Sequence, residues 1–222
     1  MSNILLNASK FIYNKVFYNS EFEDIMSQII RCYNLMRLNN CSLQNNENTI
    51  RNEIVNNYLC NNDIRRNMIG TNYLFLREIP TNDDTGRVDI YVSTQNTFQD
   101  TGAYYTIECK RLDAKNQNGT TGLNAEYIQN GISRFTSQKY TTHNDVAGMI
   151  GFVVEKINIH QNINAINTLL CRHFSNIDTE QNLKYKEIIP EFEYSYSSKH
   201  KIGGNLKIIY HLMFDFSKNI AE

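Results

Sequence analysis

The sequence predicts an α/β fold in which helices pack around one mixed sheet, and three observations support this prediction. Two segments near the N-terminus repeat apolar residues at intervals of three and four, the pattern of an amphipathic helix. Residues 73–112 alternate apolar and polar side chains, as antiparallel strands with one buried face do. Residues 147–155, AGMIGFVVE, are almost entirely apolar, which is typical of a strand covered on both faces.

Amphipathic helices are predicted in four places, over 21–38, 47–59, 122–140 and 158–174. The asparagines before residue 47 can cap the N-terminus of the second helix. A polar stretch, NNCSLQNN, separates the first two helices. We therefore expect residues 1–44 to form a helical N-terminal extension.

Strands are predicted over 73–80, 86–94, 103–112 and 147–155. The first three form an antiparallel meander, because TNDDTG and TQNTFQDTG supply turn residues between them. Asp83 and Asp84 are expected to be turn formers. The chain ends in two strand-like stretches around KHKIGG, which predict a C-terminal β-hairpin.

The composition indicates a soluble globular protein with no strong bias towards one type of partner. Hydrophobic residues make up 41% of the chain and charged residues 20%, so a packed core is expected. The formal net charge is -1, so a nucleic-acid site must be local or be helped by bound cations. With only two prolines and no repeat, the sequence gives no domain boundary, and we expect a single domain over 1–222.

The five cysteines and the distribution of apolar residues favour a cytoplasmic protein. The cysteines are widely spaced without a CxxC pair, so they are expected to be free thiols in a reducing compartment. No window reaches the ~18 uninterrupted apolar residues that a membrane helix needs. The first residues also lack a basic region followed by an apolar stretch. We expect no membrane partner.

Charged residues in two predicted strands point towards a shared site. In GRVDIYV, alternation places Asp89 on the face opposite the apolar Val88, Ile90 and Val92. In YTIECKR, it places Glu108 and Lys110 opposite the apolar side chains.

If these strands are hairpin neighbours, Asp89 and Glu108 can lie within a few ångströms of each other. Two carboxylates at such a short distance repel each other unless they share a proton or hold a cation between them. A hard ion such as Mg2+ suits such a site. Lys110 on the same face can orient a metal-bound water or neutralise charge on a phosphate.

The two strands together resemble the signature of the PD-(D/E)XK nuclease superfamily. In that superfamily an acidic residue on one strand is followed by a (D/E)-x-K triplet on the next. Here Asp89 matches the first acid and Glu108, Cys109 and Lys110 match the triplet, 19 residues further on, as 108 minus 89 gives. The residue before the first acid is often proline in the superfamily and is Val88 here, so the match departs at that position.

The resemblance implies a restriction-endonuclease-like fold, a three-layer α/β/α arrangement with a central mixed sheet. The order of helix, antiparallel strands, helix and further strand over 47–155 agrees with it. Residues 45–155 would then be the catalytic core, and 156–222 a helix followed by the terminal strands.

Many members of this superfamily carry a further glutamate on the helix before the sheet, and two candidates exist. At 100° per residue Glu47 shares a side with Ile50 and Ile54, whereas Glu53 points away. Because an acid on an apolar face is costly unless paired or metal-bound, Glu47 is the candidate. The alternative is an ordinary first-turn glutamate that helps to cap the helix, because acidic residues are favoured at helix N-termini.

The resemblance also implies a ligand set. Glu47, Asp89, Glu108 and the backbone carbonyl of Cys109 would hold Mg2+, with Mn2+ as a substitute, and Lys110 would position the nucleophile. The thiol of Cys109 is expected to face the core and to take no part in the chemistry.

Candidate DNA contacts lie on the strands and on the helix that follows the triplet: Arg87, Arg111, Gln129, Arg134 and Lys139. In the resembled fold this helix borders the catalytic cleft. The alternative is a solvated helix face without a partner.

The function implied by the resemblance is that of a Mg2+-dependent DNA endonuclease that hydrolyses phosphodiester bonds. The small size favours a type II restriction or anti-phage defence enzyme, with a homodimer as the arrangement that would cut both strands. Repair and mobile-element nucleases remain open. The first alternative is a catalytically inactive nuclease-like module that binds DNA or a protein. The second is an α/β scaffold whose charged strands are coincidental.

Overall fold

The computed structural model describes residues 14–80, 86–140 and 143–221. The predicted turn formers Asp83 and Asp84, and the first 13 residues of the predicted extension, lie outside these ranges. The described strands are β1 (Leu74–Pro80), β2 (Arg87–Ser93), β3 (Tyr104–Leu112), β4 (Val146–Val153), β5 (Thr179–Tyr185), β6 (Ser195–Ile202) and β7 (Asn205–Asp215).

Helices precede, interrupt and follow the first strands. The longest ones are α1 (Asn14–Leu38) and α5 (Ile159–His173). Helix α2 (47–59) and the short α3 (62–69) begin as α-helix and continue as π-helix, and α4 (123–136) contains a π-helical turn at Ile128–Ile132. Among the described helices, none combines the length and the apolar character that a membrane crossing requires.

The seven strands form one sheet in the order β1-β2-β3-β4-β7-β6-β5. The central pairs β3–β4 and β4–β7 are parallel, and the remaining pairs are antiparallel. The predicted meander and the C-terminal hairpin, β6–β7, are both present. This confirms an α/β fold with a mixed sheet.

Each face of the sheet carries its own apolar core. Helices α1 and α2 cover one face, where Phe22, Ile29 and Ile54 are completely buried. Helices α4 and α5 cover the other face with residues such as Ile132 and Ile166. Burying a side chain of this size contributes roughly 1.5–3 kcal/mol, so both helical layers stabilise the sheet.

Helix α1 differs from the prediction of an N-terminal extension. Its apolar side packs directly on the sheet, with Phe22 against Tyr105 of β3 and Tyr210 of β7. The ring centroids lie 5.0 and 5.5 Å apart. The described part of residues 1–44 therefore belongs to the core, because the amphipathic stripe of α1 needs the sheet to bury it.

Among the strands and helices named above, β5 and α3 have no counterpart in the sequence prediction. Strand β5 reads TEQNLKY and lies at the sheet edge, where Leu183 is its buried residue, so little apolar alternation marks it. Helix α3 is short and is capped by Asn61, whose side chain accepts hydrogen bonds from two following backbone N–H groups. Short polar elements at an edge leave no periodic signal.

Strand β2 does not keep one apolar face along its whole length. Ile90 and Val92 belong to the core under α1 and α2, whereas Val88 belongs to the core under α4 and α5. The prediction that these three side chains share a face is therefore wrong for Val88.

The change of face occurs at Asp89. The backbone ladder between β2 and β3 ends at Ile90 and Ile107, and the Asp89 carboxylate accepts a hydrogen bond from the Cys109 N–H. On β1, Glu78 stands beside Asp89 with a φ of 53°, a left-handed conformation that is rare for glutamate. Beyond the last backbone pair, the Asp89 side chain thus provides the hydrogen bond between β2 and β3, and the two strands separate at this point.

Candidate active site

Asp89 lies in the gap that opens where β2 and β3 separate. Its Oδ2 is 2.8 Å from the Cys109 nitrogen. Its Oδ1 is 2.6 Å from Nη1 of Arg51, and its side chain is 12% exposed. The carboxylate is therefore fixed at both oxygens and keeps a narrow opening to solvent.

Lys110 joins three of the groups that the sequence predicts as metal ligands. Its ammonium lies 3.0 Å from Oε1 of Glu47, 2.7 Å from Oε1 of Glu108 and 2.8 Å from the Cys109 carbonyl oxygen. An ammonium has three donors, so these contacts use all of them. The lysine stands among the oxygens to which a cation would bind.

Glu47 reaches this cluster from the first turn of α2. Asn46 caps the helix by accepting a hydrogen bond from the Thr49 N–H, so the cap does not need Glu47. The Glu47 carboxylate instead contacts Lys110 and accepts a hydrogen bond from the Arg111 N–H at 3.1 Å. It is 29% exposed.

Glu53 takes no part in these contacts. It accepts a hydrogen bond from Asn57 on the exposed side of α2. The choice between the two glutamates by helical periodicity thus agrees with their positions.

Glu108 is the most deeply buried member of the cluster, with a side chain that is 0% exposed. Its Oε1 accepts a hydrogen bond from Lys110 at 2.7 Å and forms an ion pair with Nη1 of Arg134 at 2.8 Å. Its Oε2 makes no hydrogen bond to any described residue. Burial, reinforced by the charge of Asp89 and opposed by Lys110 and Arg134, raises the pKa of Glu108 to about 7.

Arg51 and Glu78 belong to the cluster although the sequence prediction contains neither. The Arg51 guanidinium is 2% exposed and bridges Asp89 and Glu78, with its Nη2 2.8 Å from Oε1 of Glu78. Glu78 lies opposite Asp89 between the register pairs of β1 and β2. A signal for Arg51 exists in the sequence, because it follows Glu47 by four residues and shares its helix face. Glu78 has no such signal.

The predicted DNA contacts differ in position. Arg134 belongs to the cluster, where it contacts Glu108 and packs over the ring of Tyr140 at 5.5 Å. Arg111 donates to the backbone and side-chain oxygens of Asn45, at 3.1 and 2.7 Å. The other three predicted contacts are exposed: Arg87, Gln129 and Lys139.

Helix α4 approaches β3 and β4 closely at Gly131, and this position places Arg134 beside Glu108. A Cβ on Gly131 would lie 2.4 Å from Cε of Met149 and 3.5 Å from Cγ of Lys110. The missing side chain allows the helix to sit directly on β3 and β4.

The Cys109 thiol is buried, as the sequence predicts. Burial, together with the charge of nearby carboxylates, raises the pKa of the Cys109 thiol well above its usual range. A thiol held protonated in the core is neither a nucleophile nor a ligand. Cys109 contributes its backbone, through the N–H to Asp89 and the carbonyl to Lys110.

The donor set fits a hard divalent cation. Three carboxylates and one carbonyl provide the oxygen ligands that Mg2+ prefers, and one carboxylate oxygen, Oε2 of Glu108, is buried and unpaired. As the side chains stand, no three carboxylate, imidazole or thiol groups of the described ranges close around one point. Basic groups lie between the carboxylates instead.

The charges in the cluster balance. Four carboxylates are present: Glu47, Glu78, Asp89 and Glu108. Four basic groups contact them: Arg51, Arg77, Lys110 and Arg134. With all groups ionised, the cluster carries no net charge.

The fold and the cluster define an α/β protein with a charged site where two antiparallel strands part. Comparison with protein-family models, with curated proteins and with solved structures finds no match to this chain. The resemblance to the PD-(D/E)XK superfamily stays a prediction, which depends on the matched residues and on their arrangement.

Proposed function

We propose that this chain is a Mg2+-dependent DNA endonuclease of the PD-(D/E)XK superfamily, a restriction or anti-phage defence enzyme that acts in the cytoplasm. The observation that carries the proposal is the arrangement around Lys110. Its ammonium lies within 3.0 Å of oxygens from Glu47, Glu108 and Cys109, and Asp89 is bonded to the same stretch of β3.

Glu47, Asp89, Glu108 and the Cys109 carbonyl would hold the ion. Bound there, Mg2+ or Mn2+ would act as a Lewis acid on the scissile phosphate and would make a bound water more acidic. Two observations support this ligand set: the unpaired Oε2 of buried Glu108, and the two fixed oxygens of Asp89. Each carboxylate oxygen of Asp89 has a second lone pair to offer.

Once an ion occupies the oxygens that Lys110 contacts, the ammonium would be released to donate a hydrogen bond to the attacking water. Burial by itself would lower the pKa of Lys110, but the charges of Glu108 and Glu47 raise it above its ordinary value. The side chain is therefore an ammonium in the metal-free protein. In this role it holds the nucleophile in line with the phosphorus and offsets negative charge on the phosphate.

DNA binding would be local to the rim of the site. Arg134 is partly exposed above Glu108 and can contact a phosphate, and Arg87, Arg111, Gln129 and Lys139 would extend the contact surface. This fits a chain whose net charge is only -1, since a local site does not require a basic protein. Cleavage of both strands would require two such sites, which a homodimer would provide.

The proposal is tested with purified protein and supercoiled plasmid DNA. We expect nicking or linearisation with Mg2+ or Mn2+ and none with a chelator. Lys110→Ala and Asp89→Ala should each abolish cleavage, while Glu53→Gln, on the outer side of the same helix as Glu47, should cleave like the wild type. Cleavage that survives both Lys110→Ala and Asp89→Ala would overturn the proposal.

A second candidate function is a nuclease-like module that binds DNA or a protein without cutting. It is favoured by one observation: the carboxylates of the cluster all have basic partners, so the site is charge-balanced without an ion. Calorimetry separates the two functions. The binding module would take up no Mg2+ while retaining affinity for DNA.

A further inference from the structure

Arg51 has the least exposed side chain among the basic groups of the described cluster. It is 2% exposed, compared with 10% for Lys110 and 29% for Arg134. A buried guanidinium is costly unless its donors are paired, and Arg51 donates four hydrogen bonds to described residues. Nη1 contacts Asp89, Nη2 contacts Glu78, and Nε and Nη2 contact the side-chain oxygen of Asn52.

These contacts fix the guanidinium between two carboxylates from different strands. Oδ1 of Asp89 is 2.6 Å from one nitrogen and Oε1 of Glu78 is 2.8 Å from another. In a two-metal site, a second divalent ion would also have to bind between two carboxylates. In this chain the bridging position already holds a permanent charge, because arginine is not deprotonated in proteins.

We propose that Arg51 takes the place of a second divalent cation, so that the site binds one metal ion per chain. This inference rests on the proposed function, since it concerns the same metal site. The single ion would be held by Glu47, Asp89, Glu108 and the Cys109 carbonyl, and Glu78 would belong to Arg51 alone.

The charge balance leads to the same number. The four carboxylates and four basic groups cancel, so one divalent ion gives the cluster two positive charges, enough to attract a phosphodiester. A second divalent ion would double that charge in a site where Arg51 and Glu108 are buried. Like charges repel most strongly where water is excluded, so the second ion is disfavoured.

The test counts bound ions, without reference to cleavage. Mn2+ is titrated into the metal-free chain and followed by the electron paramagnetic resonance signal of free Mn2+, with Mg2+ calorimetry in parallel. We expect one ion per wild-type chain and two per Arg51→Met chain. The double variant Arg51→Met/Glu78→Gln should return to one, because the acquired site has lost a ligand. Arg66→Met, on the exposed side of α3, is the matched control and should bind one ion.

The possible results separate the two proposals. A wild-type chain that binds no ion overturns the proposed function. A wild-type chain that binds two ions leaves that function standing and overturns the role of Arg51, as does an Arg51→Met chain that folds and still binds one.

If Arg51→Met does not fold, Glu78→Gln alone decides. Its Mn2+ affinity should stay within twofold of the wild type if Glu78 serves only Arg51. A loss of tenfold or more would make Glu78 a metal ligand and overturn the inference.

Discussion

The ammonium of Lys110 lies 2.7 Å from a carboxylate oxygen of Glu108, two residues earlier on the same strand. Alternation puts the two side chains on one face of β3, and the fold then buries that face. The same ammonium contacts Glu47 and the Cys109 carbonyl. On the proposed ligand set, the lysine and a metal ion would compete for the same oxygens.

We expect Lys110→Met to bind Mg2+ more tightly than the wild type and to lose nuclease activity. The substitution keeps the side-chain volume but removes a positive charge, and two charges at ~4 Å repel by up to about 4 kcal/mol near a protein surface. Calorimetry should show at least a tenfold lower dissociation constant. Lys115→Met, at the exposed pair with Glu155, is the control and should leave Mg2+ affinity unchanged. Weaker binding by Lys110→Met would contradict the competition.

The affinity for Mg2+ should depend on pH through Glu108. Its pKa of about 7 means that the proton must leave before the carboxylate can bind an ion. Below pH ~7 the dissociation constant should rise by about tenfold per pH unit, and above it should level off. Titrations from pH 5.5 to 8.5 measure this, and Glu108→Gln should show only weak, pH-independent binding. A flat wild-type profile would contradict the raised pKa.

The same shift makes Glu108 a destabilising group in the metal-free protein at neutral pH. Its folded pKa lies above the ordinary value of 4.5, so the native state holds the proton more tightly. The free energy of unfolding should fall as pH rises from 4.5 to about 7, by at most ~3 kcal/mol. Urea denaturation of the wild type minus that of Glu108→Gln isolates this effect. A difference that does not change with pH would count against it.

Two buried histidines act in the opposite direction. The side chains of Tyr127, His211, Ser198 and His200 form a hydrogen-bonded chain under α4, with neighbouring atoms 2.8 Å apart. Burial lowers the pKa of His200 to about 4. The unfolded chain takes up a proton near pH 6.5, so stability is lost as pH falls from about 6.5 to 4.

The loss through His200 should amount to at most ~3 kcal/mol. His200→Gln can preserve one hydrogen bond without titrating, and it should flatten this part of the pH dependence. His173→Gln, on an exposed residue, is the control. If the two variants respond identically to pH, the buried chain does not carry the effect.

Helix α1 should be required for folding. Ile29→Ala removes a fully buried side chain between α1 and the sheet and should cost about 2–5 kcal/mol of stability. Val16→Ala, at a residue of the same helix that is 66% exposed, should cost little. Denaturant midpoints measure both. Equal small effects would mean that α1 is an extension after all.

The periodicity of the sequence predicted the main helices and the first strands, because periods of 3.6 and 2 residues are local properties. It also selected Glu47 over Glu53 and predicted that Asp89 lies near Glu108 and Lys110. The break of alternation at Val88 was not predictable in this way, because it depends on a side chain replacing a backbone hydrogen bond across two strands. Strand β5 was not predicted, because an edge strand needs few apolar residues and so leaves little alternation in the sequence.

By itself, then, the sequence determined which residues alternate, where the main helices lie, and that acidic residues and a lysine recur on neighbouring strands. Only the tertiary structure decided which charges meet. Arg51 and Asp89 are 38 residues apart, and nothing local links them. Folding removes both side chains from water, and a buried charge needs an opposite charge beside it. That pairing becomes visible only once the helix lies on the sheet.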